Sequence, residues 1–132
     1  MGRVMDSSVL VAAERGQLDL PSLRRTYAGE PLVVAAITVS ELLEGVHRAE
    51  SEPRRIAREA FVEGVLRALR VVPFDLAIAR THARVRARIP RNAQVGAHDL
   101  LVGATAIALG YGVMTRDRRS FPRIPDLDVD IV

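Results

Sequence analysis

Short apolar runs separated by longer segments with helical spacing are the feature that most narrows the fold of this chain. The clearest run is "PLVVAA" at 31–36, and similar short runs are "RVM" at 3–5, "LRVVPF" at 69–74, "GVMT" at 112–115 and, as a candidate fifth, "DVDIV" at 128–132. Continuous apolar runs of this length are typical of strands that are covered on both faces, as in parallel sheets.

The segments between these runs have the apolar spacing and the end signals of helices. We expect helices at 7–15 with Ser7 or Ser8 as the cap, from near Pro21, from Thr38 to about Ala49, at 53–70, at 75–89, and from about Ala97 or His98 to Leu109. Strands that alternate with helices predict one α/β domain over residues 1–132, with a four- or five-stranded parallel sheet flanked by helices.

Composition excludes several kinds of chemistry. The 132 residues include 19 basic ones, all of them arginine, and there is no cysteine. The lack of lysine excludes a P-loop and Schiff-base chemistry, and the lack of cysteine excludes disulfides and thiolate metal sites. We expect a cytoplasmic protein, because the chain has no cysteine. We expect no membrane segment, because the longest uncharged stretch is shorter than the ~20 residues that span a bilayer.

Four acids fall where the predicted topology places them at one edge of the sheet. Asp6 ends the first strand, Glu41 and Asp99 lie in the first turns of two predicted helices, and Asp117 follows the fourth strand by two residues. Sites in open parallel sheets form at the carboxyl ends of the strands. The sequence therefore predicts that the four carboxylates meet there.

Each acid also has a purely structural interpretation. Asp6 and Asp117 could be turn residues, Glu41 could close a capping box with Thr38 in "TVSE", and Asp99 could favour the positive end of a helix dipole. Together, however, four like charges would raise one another's pKa and destabilise the fold unless a cation compensated them. Carboxylates and water suit Mg²⁺ or Mn²⁺, which can activate water for phosphodiester hydrolysis.

Four sequence blocks carry a family resemblance. "MDSSVLVAAERG", "TVSELLEGV", "HDLLVGATAIALGYGVMTRDRRSF" and "IPDLDV" follow one another with the order and spacing of a PIN domain. More narrowly, the chain resembles the VapC ribonuclease toxins of bacterial toxin–antitoxin pairs. The resemblance runs from Val4 to about Val129, which is nearly the whole chain.

The resemblance implies a Mg²⁺- or Mn²⁺-dependent endoribonuclease that inhibits translation. In that family the acids matching Asp6 and Asp99 hold the principal metal ion, and those matching Asp117 and Glu41 complete or adjust its shell. The family pattern adds the hydroxyl of Thr115 to the site and, less directly, that of Ser7. It also implies a homodimer and inhibition by a small antitoxin that occupies the cleft.

Arginines near the acids are candidates for RNA binding. Arg116 and Arg118 flank Asp117, where guanidinium groups could contact phosphates. Arg80, Arg84, Arg88 and Arg91 form a stripe along one predicted helix and its following loop, which is more often a solvated face. His98 adjoins Asp99, but a general base is not needed where a metal ion activates water.

Three apolar residues of the predicted 53–70 helix have two interpretations. Phe61, Val65 and Leu69 have core spacing, but the same face could also receive a partner helix.

Rival functions remain open at this point. A signalling receiver also clusters acids around Mg²⁺ but normally uses a lysine, which this chain lacks. A haloacid-dehalogenase-type phosphatase needs a second aspartate where Ser8 stands. A non-catalytic interaction module with a vestigial acid cluster is the third alternative.

Overall fold

All five apolar runs form strands, and the computed structural model describes the whole chain from residue 1 to residue 132. The strands are β1 (Arg3–Met5), β2 (Leu32–Ala35), β3 (Arg70–Val72), β4 (Gly112–Thr115) and β5 (Val129–Ile131). The helices are α1 (Ser7–Glu14), α2 (Leu20–Thr26), α3 (Ala36–His47), α4 (Glu52–Ala68), α5 (Leu76–Arg88) and α6 (Ala97–Leu109), and a 3₁₀ turn spans Phe121–Arg123.

The strands form one parallel sheet in the order β3-β2-β1-β4-β5. From β1 the chain moves outward to β2 and β3, and it later returns to the other side of β1 to add β4 and β5. The strand order therefore reverses between β1 and β4, where Met5 lies opposite Met114. In open parallel sheets, sites form at the carboxyl ends of the strands that flank such a switch point.

Two apolar layers cover the sheet, because successive strand residues point to opposite faces. Val4 and Val113 belong to the layer that includes residues of α5 and α6. Met5 and Met114 belong to the layer formed with α1 and α4. All four side chains are at most 1% exposed, which confirms the prediction of strands buried on both faces.

The starts of α1 and α3 differ from the sequence prediction. Asp6, not Ser7 or Ser8, caps α1, because its carboxylate accepts from the backbone N–H of Ser8. Helix α3 begins at Ala36 directly after β2, two residues before the expected start. Glu41 is therefore in the second turn of α3, and the predicted capping box is wrong, since the hydroxyl of Thr38 is buried without a hydrogen-bond partner.

The helices are too short or too polar to cross a lipid bilayer. The 3₁₀ turn was not predicted, and its Phe121 is fully buried in the α5–α6 layer. This turn closes the path from β4 to β5 and covers the edge of the core near α6.

Candidate active site

Asp6 is a buried acid at the switch point between β1 and β4. Its side chain is only 5% exposed, and one carboxylate oxygen, Oδ2, accepts all of its hydrogen bonds from the protein. The hydroxyls of Ser8 and Thr115 donate to Oδ2 at 2.7 and 2.9 Å, and the backbone N–H of Ser8 is more distant at 3.4 Å. Oδ1 is left without a protein donor and can accept from water or bind a cation.

Each hydroxyl that donates to Asp6 also accepts from a backbone N–H of the segment after β4. The N–H of Arg116 donates to Ser8 Oγ at 3.0 Å, and the N–H of Asp117 donates to Thr115 Oγ1 at 2.9 Å. The two hydroxyl oxygens are 3.2 Å apart. We call these two N–H to O–H to carboxylate chains the hydroxyl relay. It fixes the start of the 116–119 turn relative to Asp6, and such chains polarise one another cooperatively.

The other three acids surround Asp6 at the same edge of the sheet. Asp99 lies in the first turn of α6, as predicted, and Asp117 follows β4 in a turn where its Oδ1 accepts from the N–H of Arg119 at 2.8 Å. Glu41 reaches the edge from the second turn of α3. Glu41 and Asp99 lie within electrostatic range of Asp6 and of each other, and Asp117 lies within range of Asp99.

Burial raises the pKa of Asp99, and the negative charges of Asp6 and Asp117 raise it further, while a hydrogen bond with Ser120 opposes the shift. Burial also raises the pKa of Glu41, to which Asp6 and Asp99 add; the neighbouring His98 opposes that shift. Repulsion between neighbouring acids therefore adds to the effect of burial at Asp99 and at Glu41. A neutralising cation would relieve it.

The carboxylates share an edge without forming a ready-made cage. No group of three or more histidine, aspartate or glutamate side chains is already placed to hold one metal ion. Binding one ion through three of them would thus require side-chain rotation. The donor set itself suits a hard divalent cation, because it consists of carboxylate and hydroxyl oxygens around a buried carboxylate with one oxygen unpaired.

The serine of the site is Ser8. The expectation for Ser7 rested on the family pattern, but the Ser7 side chain makes no hydrogen bond, whereas Ser8 Oγ joins Asp6 to the 116–119 turn. Thr115 is fully buried within the relay, where the family pattern placed it.

Basic and aromatic groups border the acids. His98 Nδ1 lies 3.5 Å from Glu41 Oε2, a contact that the sequence did not reveal. The side chains of Arg116 and Arg118 are exposed beside Asp117. In the predicted arginine stripe along α5 and its following loop, Arg88 is already paired, because its side chain forms an ion pair with Asp126 at 2.5 Å.

Comparison with known proteins identifies the family. The PIN-domain model matches residues 3–127. Ribonuclease VapC1 of Rickettsia felis is 34% identical over 130 residues, which cover 98% of this chain and 95% of that protein. The tRNA(fMet)-specific endonuclease VapC of Salmonella typhimurium is 29% identical over 100 residues, or 75% of this chain and 74% of the relative.

Solved structures agree in fold over the whole chain. The VapBC-5 structure from Mycobacterium tuberculosis superposes with a TM-score of 0.76 at 28% identity, and covers 99% of this chain and 97% of that one. For VapBC2 of Rickettsia felis the TM-score is 0.89 at 20% identity, with 100% and 99% coverage, which shows the shared fold. The chain belongs to the PIN-domain family and, within it, to the VapC proteins.

Proposed function

We propose that this protein is an endoribonuclease toxin that hydrolyses RNA phosphodiester bonds at the acidic edge of its sheet. The observation that carries the proposal is the buried Asp6, held by two hydroxyls at the switch point, with Glu41 and Asp99 in electrostatic reach of it and Asp117 in reach of Asp99. Relatives that match nearly the full chain are ribonucleases by name.

Asp6, Asp99, Asp117 and Glu41 are the residues that would hold Mg²⁺ or Mn²⁺. When bound, such an ion activates water and neutralises charge that develops on the phosphate. The hydroxyl relay keeps the Asp6 carboxylate in one orientation, and because Oδ2 is engaged, Oδ1 is the oxygen left free to bind the ion. The raised pKa of Asp99 and of Glu41 makes cation binding favour higher pH, since protons compete for these carboxylates.

Arg116 and Arg118 would bind RNA phosphates at the same edge. Both side chains are exposed on the turn that the relay fixes, and neither enters an ion pair within the chain. Guanidinium groups bind phosphate oxygens in pairs, so these residues would orient the strand across the acids without reading its bases.

RNA cleavage by purified variants that each lack one site carboxylate tests the proposal. Asp6→Asn and Asp99→Asn should each abolish RNA cleavage in Mg²⁺, and EDTA should abolish it in the wild type. Asp19→Asn is the matched control, because Asp19 also caps a helix through a serine but is exposed away from the site. Full activity of either site variant, or of the wild type in EDTA, would refute the proposal.

An antitoxin would bind in an apolar groove between α2 and α4. The cavity there has a volume of about 350 Å³, and its apolar wall includes Leu20, Leu23, Leu32, Phe61, Val65 and Leu69. Val65 and Leu69 are buried core residues, as one interpretation of this helix face predicted, whereas Phe61 is only partly buried. The exposed part of Phe61 supports the proposal that a partner helix packs there. Phe61 also lines a smaller, neighbouring cleft, and Glu41 lines the same cleft. An amphipathic helix in the groove could thus lead a following segment towards the acids.

The protein encoded by a short adjacent reading frame is the probe for this partner. Ala60→Glu would place a charge in the groove from an exposed position of α4, and we expect it to weaken binding by about tenfold or more. Ala57→Glu, on the same helix but outside the groove, is the control. Equal binding by both variants would exclude the groove as the antitoxin site.

A second copy of the chain would cover the apolar patch formed by Phe74 and Leu76. These side chains are 53% and 68% exposed beside an apolar hollow lined by Ile37, Val72 and Leu101. Adjacent large apolar groups with this exposure favour self-association. Light scattering should report a dimer that Phe74→Ser with Leu76→Ser dissociates, while Ile56→Ser, at a remote residue 55% exposed, does not.

A further inference from the structure

A cavity with a basic lining opens beside the acidic edge, between the end of α5 and the loop at 90–96. Its volume is about 760 Å³, within the range of sites that bind small ligands. Arg86 and Arg91 are its only charged lining residues, and Ile89, Val95 and Leu100 form an apolar wall. The cavity thus combines two cations with an apolar surface and contains no acid.

The wall of the cavity is fixed relative to the acids. Leu100 directly follows Asp99 in the first turn of α6, so the cavity and the acid share that turn. The backbone N–H of Gly96, the N-cap residue of α6, donates to Ser120 Oγ at 3.2 Å. A second tie holds the loop, because Arg123 Nη1 donates to the carbonyl of Gln94 at 3.0 Å.

The two cavity arginines keep their charge available. Arg86 and Arg91 are exposed and form no ion pair within the chain, in contrast to Arg88, which pairs with Asp126. Two uncompensated guanidinium groups select an anion with several acceptor oxygens, and phosphate accepts them as paired hydrogen bonds. The apolar wall suits the ribose and base attached to such a phosphate.

We propose that this cavity binds a nucleotide of the RNA substrate away from the bond that is cut, with its phosphate on Arg86 and Arg91. The inference rests on the proposed ribonuclease function and adds a positioning site to it. Because Leu100 of the cavity directly follows Asp99 in α6, an RNA strand whose flanking nucleotide occupies the cavity is held near Asp99. The cavity therefore sets where the strand lies when it reaches the acids.

The salt dependence of RNA binding tests the proposal. Each phosphate contact on a single strand contributes about 0.7 to the slope of log affinity against log salt, so Arg86→Gln with Arg91→Gln should reduce the slope by about 1.4. At about 50 mM salt this corresponds to roughly eightfold weaker binding per lost contact, and at about 200 mM to roughly threefold. A labelled mixed-sequence RNA in EDTA measures binding without cleavage, and KM in Mg²⁺ provides a second reading.

Arg80→Gln with Arg84→Gln is the matched control, because both arginines are exposed on α5, form no ion pair and lie outside the cavity. The proposal expects a reduced slope and a higher KM only in the cavity variant, with kcat little changed. Arg86→Lys with Arg91→Lys should retain most of the slope, since each lysine still neutralises a phosphate, and thermal melting checks that all variants fold.

Equal slopes in the two glutamine variants would overturn the proposal, since bulk helix charge would then explain the effect. Unchanged RNA affinity in the cavity variant would also overturn it and would leave the cavity to an acidic protein segment. If wild-type protein cleaves RNA in either case, the proposed function stands while the cavity assignment falls. If wild-type protein neither binds nor cleaves RNA, both fall.

Discussion

Removal of the Ser8 hydroxyl should destabilise the fold far more than removal of the Ser7 hydroxyl. Ser8 Oγ donates to a carboxylate that is 5% exposed, at 2.7 Å, and accepts from the N–H of Arg116. A hydrogen bond to a charged group contributes about 1.5–3 kcal/mol, and the exposed Arg116 N–H can bond to water instead. We therefore expect Ser8→Ala to lower the free energy of unfolding by about 2 kcal/mol.

Ser7→Ala is the natural control for this measurement. Ser7 has similar intermediate burial and adjoins Ser8, but its hydroxyl makes no hydrogen bond, so its loss should change stability by at most about 0.5 kcal/mol. For a chain of this size 1 kcal/mol corresponds to a change in Tm of about 3 °C, and Ser8→Ala should melt about 6 °C lower. Urea unfolding followed by circular dichroism gives the free energies.

A double-mutant cycle with Thr115→Val tests the relay as a unit. Valine keeps the shape of threonine and removes its hydroxyl. After either single change one hydroxyl still donates to Asp6 Oδ2, but after both the buried carboxylate retains only the N–H at 3.4 Å. The double variant should thus lose about 1 kcal/mol more than the sum of the single losses. Additive losses, or equal stability of Ser8→Ala and Ser7→Ala, would refute the relay.

Three further outcomes follow from the site and the packing. Mg²⁺ at about 100 times its Kd should stabilise the wild type by about 2.7 kcal/mol and Asp6→Asn by much less. A thermal-shift assay measures both effects, and equal shifts in the two proteins would show that the ion does not bind at Asp6. The pKa of Asp99 is raised in the folded state, so ionisation of this carboxyl lowers the stability of the wild type as pH rises through that pKa. Asp99→Asn lacks this loss. In EDTA, the Tm of the variant relative to that of the wild type should therefore increase from about pH 4 to pH 7. Gly103→Ala should lower the free energy of unfolding in urea by about 1–3 kcal/mol, because the new Cβ would lie 2.8 Å from the buried Ile124 side chain. Gly64→Ala, whose Cβ would have nothing within 4 Å, should instead stabilise the protein by about 0.5–1 kcal/mol.

The strands and their order along the chain were predictable because buried parallel strands leave a strong signal. "VVA" and "GVM" face helices on both sides, so apolar residues occur without alternation. The placement of Asp6 and Asp117 at one edge follows from parallel pairing alone. Which strands are neighbours was not predictable, since contacts between β1 and β4 join residues more than a hundred positions apart.

Individual side-chain contacts could not be predicted where a shift of one residue along a helix decides which side chain makes them. Ser7 and Ser8 are chemically equivalent in the sequence, but successive helical residues point about 100° apart, and only Ser8 faces Asp6. The capping box at Thr38 failed because β2 passes into α3 without a loop, which draws the threonine into the interior. Arg86 was overlooked for a similar reason, since a count in steps of four along α5 selects Arg84 and Arg88 instead.

The hydroxyl relay explains why the acids of this site depend on the pairing of β1 with β4. Asp6 directly follows one strand and Thr115 ends the other, and their hydrogen bond crosses between neighbours in the sheet. A register shift of one residue would turn Thr115 to the opposite face, and the N–H of Arg116 would no longer reach its acceptor, Ser8 Oγ. The strand pairing that builds the centre of the core thus also sets the distance between Asp6 and the turn that carries Asp117, so variants that loosen this pairing should lose metal affinity before they lose the fold.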